Sequence, residues 1–81
     1  MKTVRFYHSL ICPRCRLSGF WLAQLLPEFP DLTIERVEFL TNRARARADG
    51  VHSIPKLVAA DKNLGGFVLT KKRMRRFLAS L

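Results

Sequence analysis

The sequence predicts one α/β domain spanning residues 1–81, with its elements in the order β-α-β-α-β-β-α. Three observations support this prediction. The 81 residues suffice for a single small domain, since typical domains have about 100–150 residues, and they exclude a large enzyme with a deeply enclosed active site. Apolar residues make up 48% of the chain, enough for one core and too many for a disordered segment. Finally, strand-like and helix-like periodicities alternate along the sequence.

The first three predicted elements form a βαβ unit. Val4 and Phe6 alternate with polar neighbours, which predicts a strand over residues 2–8. Pro13 fits the first turn of the following helix, because its missing N–H costs nothing there, and the helix closes at Pro27. A charged second strand over residues 32–40 is typical of a sheet edge. The two strands are therefore expected to be parallel, with a right-handed connection.

Helical spacing predicts which side chains of the first helix face the core. The predicted apolar stripe consists of Leu17, Phe20, Trp21 and Leu25, and we interpret Trp21 as a core residue rather than a ligand platform.

The second half of the chain completes the predicted fold. A helix is predicted over residues 43–48, between a Thr41-Asn42 cap and Gly50. Strands are predicted over residues 56–60 and 64–69, joined by a turn at Asp61-Lys62-Asn63. The last predicted helix is capped by Thr70, and its core-facing residues are Met74, Phe77, Leu78 and Leu81.

The charge of the chain is +9, and residues 41–81 account for +8 of it. Such a balance favours acidic partners, which include acidic proteins, anionic membranes and nucleic acids. A solvated basic face is the simplest interpretation, and the alternative is a nucleic-acid- or ribosome-binding module. The last helix commits its apolar stripe to the core and no nucleic-acid-binding motif is present, so nucleic acid is the weaker hypothesis.

Hydropathy predicts no transmembrane helix, and we expect no membrane partner. No apolar run approaches the roughly 18–20 residues that span a bilayer. The first ten residues, interrupted by Arg5 and His8, also lack the apolar stretch of about 7–15 residues found in a secretory signal. We therefore expect a cytoplasmic protein.

Cys12 and Cys15 are the only cysteines, and they form a CxxC motif. A bridge over this short span would add little stability, so the spacing favours chemistry over architecture. A CxxC that follows a strand and opens a helix is a redox signal. Free helical N–H groups, the helix dipole and Arg14 favour a thiolate at Cys12, and Cys15 is placed one turn later to resolve a mixed disulfide.

A zinc site is the alternative interpretation of the cysteine pair. A closed zinc site needs four ligands, and the chain offers only His8 and His52 besides the cysteines. We predict no metal and expect both histidines to be packing or surface residues rather than proton shuttles.

Two segments carry a resemblance to a known family. The Cys12-Pro13-Arg14-Cys15 motif and residues 50–55, ending in Ile54-Pro55, make the sequence resemble the thioredoxin and glutaredoxin superfamily over nearly its whole length. The resemblance implies a four-stranded mixed sheet in the order 2-1-3-4 with flanking helices. It also implies a cis Pro55 facing the CxxC and substrate contacts through Pro13, Arg14, Ile54, Pro55, Gly65 and Gly66.

The resemblance further implies an activity and its partners. We expect dithiol–disulfide exchange with protein substrates, an upstream reductase or thiol reductant, and no bound cofactor. Gly65-Gly66 is glutaredoxin-like, but Ser9 and Phe67-Val68 replace the charged residues that a glutathione site would use, so glutathione is not expected to be a specific partner. Phe6 and Ile11 replace the buried acid and the tryptophan usual in thioredoxins. The basic flank predicts a preference for acidic protein substrates.

Overall fold

The computed structural model describes residues 2–60 and 62–81, and it confirms the predicted order of elements. Within these residues the elements are β1 (Lys2–His8), α1 (Pro13–Leu25), a 3-10 turn (Leu26–Glu28), β2 (Leu32–Glu38), α2 (Arg43–Ala48), β3 (Lys56–Ala59), β4 (Lys62–Gly65) and α3 (Lys71–Ala79). No helix in this part of the chain is long and apolar enough to cross a membrane.

The four strands form one mixed sheet in the predicted order β2-β1-β3-β4. β1 and β2 are parallel over their full lengths, with Lys2 opposite Leu32 and His8 opposite Glu38. β3 runs antiparallel to both β1 and β4. The charged strand β2 therefore lies at a sheet edge, as its sequence predicted.

The sheet separates two apolar clusters because successive strand residues point to opposite faces. On one face, Val4 and Phe6 of β1 pack with residues of α1 and α3, including Leu22 and Met74. On the other face, Tyr7 packs with the remaining cluster, which comprises Val37, Ala46, Val51 and Val58. Helices α1 and α3 thus cover one face and α2 covers the other.

The predicted apolar stripe of α1 is wrong in part. Leu17 and Phe20 are exposed, and Trp21 is only partly buried against the core. The buried face of α1 consists of Cys15, Ser18, Gly19, Leu22 and Leu25. Close packing explains the difference: a Cβ atom at Gly19 would lie 3.3 Å from the Phe6 ring, so the helix approaches the sheet through its small residues.

The predicted bounds of β4 are also wrong. The strand runs over Lys62–Gly65 instead of 64–69, with Ala59 opposite Lys62 and Val58 opposite Asn63. Lys62 and Asn63 therefore belong to a strand rather than to the predicted turn, of which Asp61 lies outside the described residues. The turn begins earlier, at Ala60, whose φ of 54° is left-handed.

Other predicted ends shift by one or two residues. β2 ends at Glu38, although the N–H of the next residue, Phe39, still donates to the carbonyl of His8. β3 ends at Ala59, and α3 ends at Ala79. Leu81 nevertheless packs against the core beyond the helix end.

Candidate active site

Three segments of the chain meet at one end of the sheet. β1 ends at His8 and leads through residues 9–12 into α1. Lys56, the first residue of β3, pairs with Tyr7 on one side and Gly65 on the other. The segment before β3 and the segment after β4 therefore lie at the same end of the sheet as the CxxC motif.

Cys12 caps the N-terminus of α1. Its backbone is extended, with φ −100° and ψ 110°, and its Sγ accepts a hydrogen bond from the Cys15 N–H at 3.3 Å. Pro13 occupies the first helical turn, where its fixed φ favours the helix. Both thiols are free; Cys12 is 9% exposed and Cys15 is 2% exposed. The outer thiol is thus the one that another molecule can reach.

The pKa of Cys12 is lowered from the ordinary thiol value. Burial opposes ionisation, but hydrogen bonds from the Cys15 thiol and backbone N–H, together with the Arg14 charge, outweigh it. These groups favour the thiolate, which is the nucleophilic form of cysteine.

Cys15 behaves in the opposite way. Burial, followed by its hydrogen bond to Cys12, raises the pKa of the Cys15 thiol to about 12. Cys15 is therefore a neutral thiol at neutral pH. The pair is divided into an ionisable outer cysteine and a protonated inner one, which sets the order in which they can react.

Arg14 connects the motif to a distant loop. Its Nη1 donates to the carbonyl of Phe67 at 2.8 Å, and its guanidinium carbon lies 4.3 Å from the centre of the Phe67 ring. This geometry combines a charge-assisted hydrogen bond with a cation–π contact. Arg14 thus positions the loop after β4 beside the cysteines.

The Ile54–Pro55 peptide bond is cis, as the resemblance implied. Pro55 is buried and Ile54 is half-buried against the cluster beneath α2. The structure thus fixes this segment against the sheet at the end where the cysteines lie.

Gly65 and Gly66 contact the Arg73 side chain of α3. Arg73 donates to the carbonyl of Gly65 at 2.9 Å, and its Nη1 lies 2.7 Å from the position a Cβ atom of Gly66 would occupy. A side chain at Gly66 would therefore displace Arg73. The pair has a packing role, and contact with a substrate stays a prediction.

Apolar side chains surround the motif on the surface. Leu10 is 73% exposed, Ile11 is 80% exposed and Phe67 is 78% exposed. The first two directly precede Cys12, and the third contacts Arg14. An exposed apolar patch of this kind is typical of a surface that binds another protein.

Sequence reasoning missed Ser18, which is fully buried beneath the motif. Its hydroxyl donates to the carbonyl of Leu69 at 3.0 Å and accepts the N–H of Leu69 at 3.1 Å. Ser18 thereby ties α1 to the segment that leads into α3. Its spacing of three from Cys15 and four from Leu22 is the signal that could have placed it on the buried face.

The two histidines occupy different environments. The His8 ring stacks on Phe6 with their centroids 5.4 Å apart, and burial, assisted by Arg36, lowers the pKa of His8. His52 is exposed. Both positions agree with the packing and surface roles expected.

The described residues contain no group of three or more His, Cys, Asp or Glu side chains that could hold a metal ion.

Several basic residues of α3 have partners within the chain. Arg75 forms an ion pair with Glu28 at 3.0 Å, Lys71 donates to Gln24, and Arg73 holds Gly65. Lys72 and Arg76 are exposed and form no hydrogen bond or ion pair with other described residues. Only part of the basic helix is thus available to another molecule.

Solved structures with the same fold include several thioredoxins. Mitochondrial thioredoxin 3 from Saccharomyces cerevisiae matches with a TM-score of 0.82 and 17% identity, covering 99% of this chain and 78% of the yeast chain. Desulfothioredoxin from Desulfovibrio vulgaris Hildenborough matches with a TM-score of 0.84 and 20% identity, covering 99% and 81%. Thioredoxin O2 from Arabidopsis thaliana matches with a TM-score of 0.80 and 21% identity, covering 100% and 75%.

The chain is thus an α/β domain of the thioredoxin fold, which confirms the fold implied by the resemblance. It carries a CxxC motif at the start of the first helix. No protein-family model and no curated protein sequence matches it.

Proposed function

We propose that this protein is a thiol–disulfide oxidoreductase that reduces disulfides in protein substrates. The observation that carries the proposal is the paired environment of the cysteines: Cys12 is the helix cap with a lowered pKa, above a buried Cys15 whose pKa is about 12. One thiol is therefore prepared to attack and the other to react second.

The first step forms a mixed disulfide. The Cys12 thiolate attacks one sulfur of the substrate disulfide, the substrate S–S bond breaks, and the second substrate sulfur leaves as a thiolate that takes a proton from water. The helical N–H of Cys15 and the charge of Arg14 stabilise the attacking thiolate.

The second step releases the substrate. Cys15 loses its proton and attacks the Cys12 sulfur, forming the Cys12–Cys15 disulfide, while the first substrate sulfur, which was bonded to Cys12 in the mixed disulfide, leaves as a thiolate and is protonated. Two electrons have then passed from the protein to the substrate. An upstream reductase or thiol reductant restores the dithiol by the same exchange in reverse, and no bound cofactor takes part.

Substrate binding is assigned to the surface around Cys12. Exposed Leu10, Ile11 and Phe67 offer apolar contacts, which favours a protein over a small polar molecule. We assign the backbone before Pro55 to an extended segment of the substrate. Pro13, Arg14, Ile54, Gly65 and Gly66 complete the proposed binding surface.

Glutathione is not the proposed partner. Ser9 is nearly buried and uncharged, and Phe67 contacts Arg14 where an acid would be needed to hold the glutathione amino group. The nucleic-acid hypothesis is also less well supported, because Glu28, Gln24 and the Gly65 carbonyl engage three basic residues of α3.

Insulin reduction measured beside reduction of a glutathione mixed disulfide tests the proposal. We expect catalysed insulin reduction that requires both cysteines, and slow turnover of the glutathione substrate. Cys15→Ser should accumulate mixed disulfides with protein substrates, whereas Cys12→Ser should accumulate none. Insulin reduction that persists in Cys12→Ser would contradict the proposal.

A further inference from the structure

A cationic cleft lies on the α2 side of the molecule. It has a volume of about 240 Å³ and is lined by Phe39, Arg43, Arg47, Val51 and His52. Arg43 and Arg47 are four residues apart, so they extend from the same face of α2. The Arg43 guanidinium carbon lies 5.6 Å from the centre of the Phe39 ring, a cation–π contact that holds the charge at the cleft.

The charge of this cleft is not neutralised within the described chain. Arg43 and Arg47 are exposed, and neither forms an ion pair with a described carboxylate. Arg45, on the same helix, differs because it pairs with Glu35 at 2.6 Å. No acidic residue lines the cleft within residues 2–60 and 62–81. An anionic group is the ligand that these two guanidinium groups fit.

The cleft adjoins the redox end of the sheet. Phe39 follows β2, and its N–H donates to the carbonyl of His8 at 2.7 Å, just before the loop to Cys12. Val51 and His52 directly precede the segment that ends in the cis Ile54–Pro55 bond. A chain lying along that segment would pass the cleft within a few residues of its reacting cysteine, since an extended chain advances about 3.3 Å per residue.

We propose that Arg43 and Arg47 bind acidic side chains of the protein substrate, close in sequence to the cysteine that Cys12 attacks. The inference rests on the proposed function and specifies its substrate class. It places the recognition of acidic substrates on α2, beside the redox site, and not on the basic helix α3.

The test uses two disulfide-bonded peptides that differ only in carrying Glu or Gln at three positions within about four residues of each cysteine. At about 0.01 M salt, where the Debye length is about 30 Å, kcat/KM should favour the Glu peptide. We expect a preference of roughly three- to tenfold, because exposed charge pairs contribute modestly. The double variant Arg43→Gln/Arg47→Gln should lose most of this preference and retain its activity on the Gln peptide.

Lys72→Gln/Arg76→Gln is the matched control, because it removes the same charge from two exposed residues of α3. It should keep most of the preference for the Glu peptide. Equal losses in both double variants would assign the effect to net charge and overturn the proposal. An equal loss of activity on oxidised glutathione in Arg43→Gln/Arg47→Gln would also overturn the assignment to a peptide.

Binding of a cysteine-free Glu peptide, measured by fluorescence anisotropy, separates this inference from the proposed function. Weaker binding to Arg43→Gln/Arg47→Gln than to the control supports the cleft even if no peptide is reduced. Reduction of both peptides without a Glu preference would overturn the cleft and leave the oxidoreductase proposal standing.

Discussion

Cys12 experiences two influences that act on its thiol in opposite directions. Burial disfavours the thiolate, while the hydrogen bonds from Cys15 and the charge of Arg14 favour it more strongly. The location of the thiol could be predicted from sequence, because a strand, a CxxC and a helix-starting proline follow one another. The contact between Arg14 and Phe67 could not, because 53 residues separate them and no local pattern relates the two.

The alkylation rate of Cys12 should follow a pKa below the free-thiol value of about 8.5. The measurement uses Cys15→Ser, in which a serine hydroxyl and the same backbone N–H can still donate to Cys12, and it records the rate against pH. Arg14→Gln in this background should shift the midpoint upward, because it removes a positive charge near the thiolate. A midpoint at or above that of a free thiol would contradict the assignment of Cys12 as nucleophile.

The elements show where apolar periodicity fails as a guide. In α1 it selected large residues such as Phe20, whereas the helix approaches the sheet at Gly19, whose lack of a side chain allows close contact with Phe6, and Ser18 bonds to the segment before α3. Periodicity records hydrophobicity but not the distance between packed elements. The bounds of β4 were predicted wrongly for a related reason. The pairing of β3 with β4 depends on the left-handed backbone conformation of Ala60, and no feature of the sequence predicts that conformation.

Ser18→Ala should lower the free energy of unfolding by about 1–3 kcal/mol, because it leaves the buried N–H and carbonyl of Leu69 without their partner. For a domain of this size, each kcal/mol corresponds to roughly 4–8 °C in Tm. Ser80→Ala, at an exposed position after α3, is the control and should change stability little. Equal stability of the two variants would show that the bridge contributes nothing.

Helix α2 is anchored to the sheet by a polar contact at its end. Asp49 accepts hydrogen bonds from Arg5 at 2.7 Å and from the Tyr7 hydroxyl. Burial acts against ionisation of Asp49, but these two bonds outweigh it and lower its pKa. A carboxyl whose pKa is lowered by folding stabilises the folded state at pH values above about 3.9, its pKa in the unfolded chain. This stability is lost as the pH falls through the pKa of the carboxyl in the folded state.

Asp49→Asn should therefore destabilise the protein by about 1–3 kcal/mol at neutral pH, since the Arg5 charge loses its partner in a partly buried position. Urea unfolding at several pH values measures the effect. The difference between wild type and variant should shrink as the pH falls below about 3.9, where Asp49 takes up a proton in the unfolded chain, and should be smallest below the lower pKa that Asp49 has in the folded state. A difference that is constant down to low pH would refute the ionic contribution.

At the scale of the whole molecule, the sheet order was predicted through the resemblance, and the structure confirmed it. The overall charge of +9 was also evident, but its distribution was not. Folding pairs Arg75 with Glu28 and Arg45 with Glu35, while Arg43 and Arg47 are left without acidic partners among the described residues. Contacts between distant segments decide which charged side chains are available to another molecule. The amino-acid composition does not contain this information.

The reduced protein should lose stability at alkaline pH. The pKa of Cys15 is raised to about 12 and that of Tyr7 is also raised, in both cases chiefly by burial. A group whose pKa is raised by folding stabilises the folded state at pH values below its pKa in the unfolded chain. This stability is lost as the pH rises through the pKa of the group in the folded state. Urea midpoints between about pH 8.5 and pH 12 should therefore fall.

The fall should be smaller in Cys15→Ser, whose hydroxyl does not ionise in this range. Tyr7 is retained in this variant, so part of the alkaline loss should remain. Identical pH profiles for the two reduced proteins would contradict the burial of an un-ionised Cys15.

The contacts of Ser18 and Arg14 have a consequence for the order in which the protein folds. Ser18 bonds to Leu69, which lies 51 residues further along the chain, and Arg14 contacts Phe67, which lies 53 residues further along. Contacts between residues so distant in sequence form late, because a long loop must close before they can be made. On a nascent chain, the CxxC motif is synthesised before residues 67–69, so the contacts that hold its helix can form only after that later segment has been made. Until then, both thiols are part of an incompletely folded chain. They are exposed to premature oxidation and to disulfide formation with other chains.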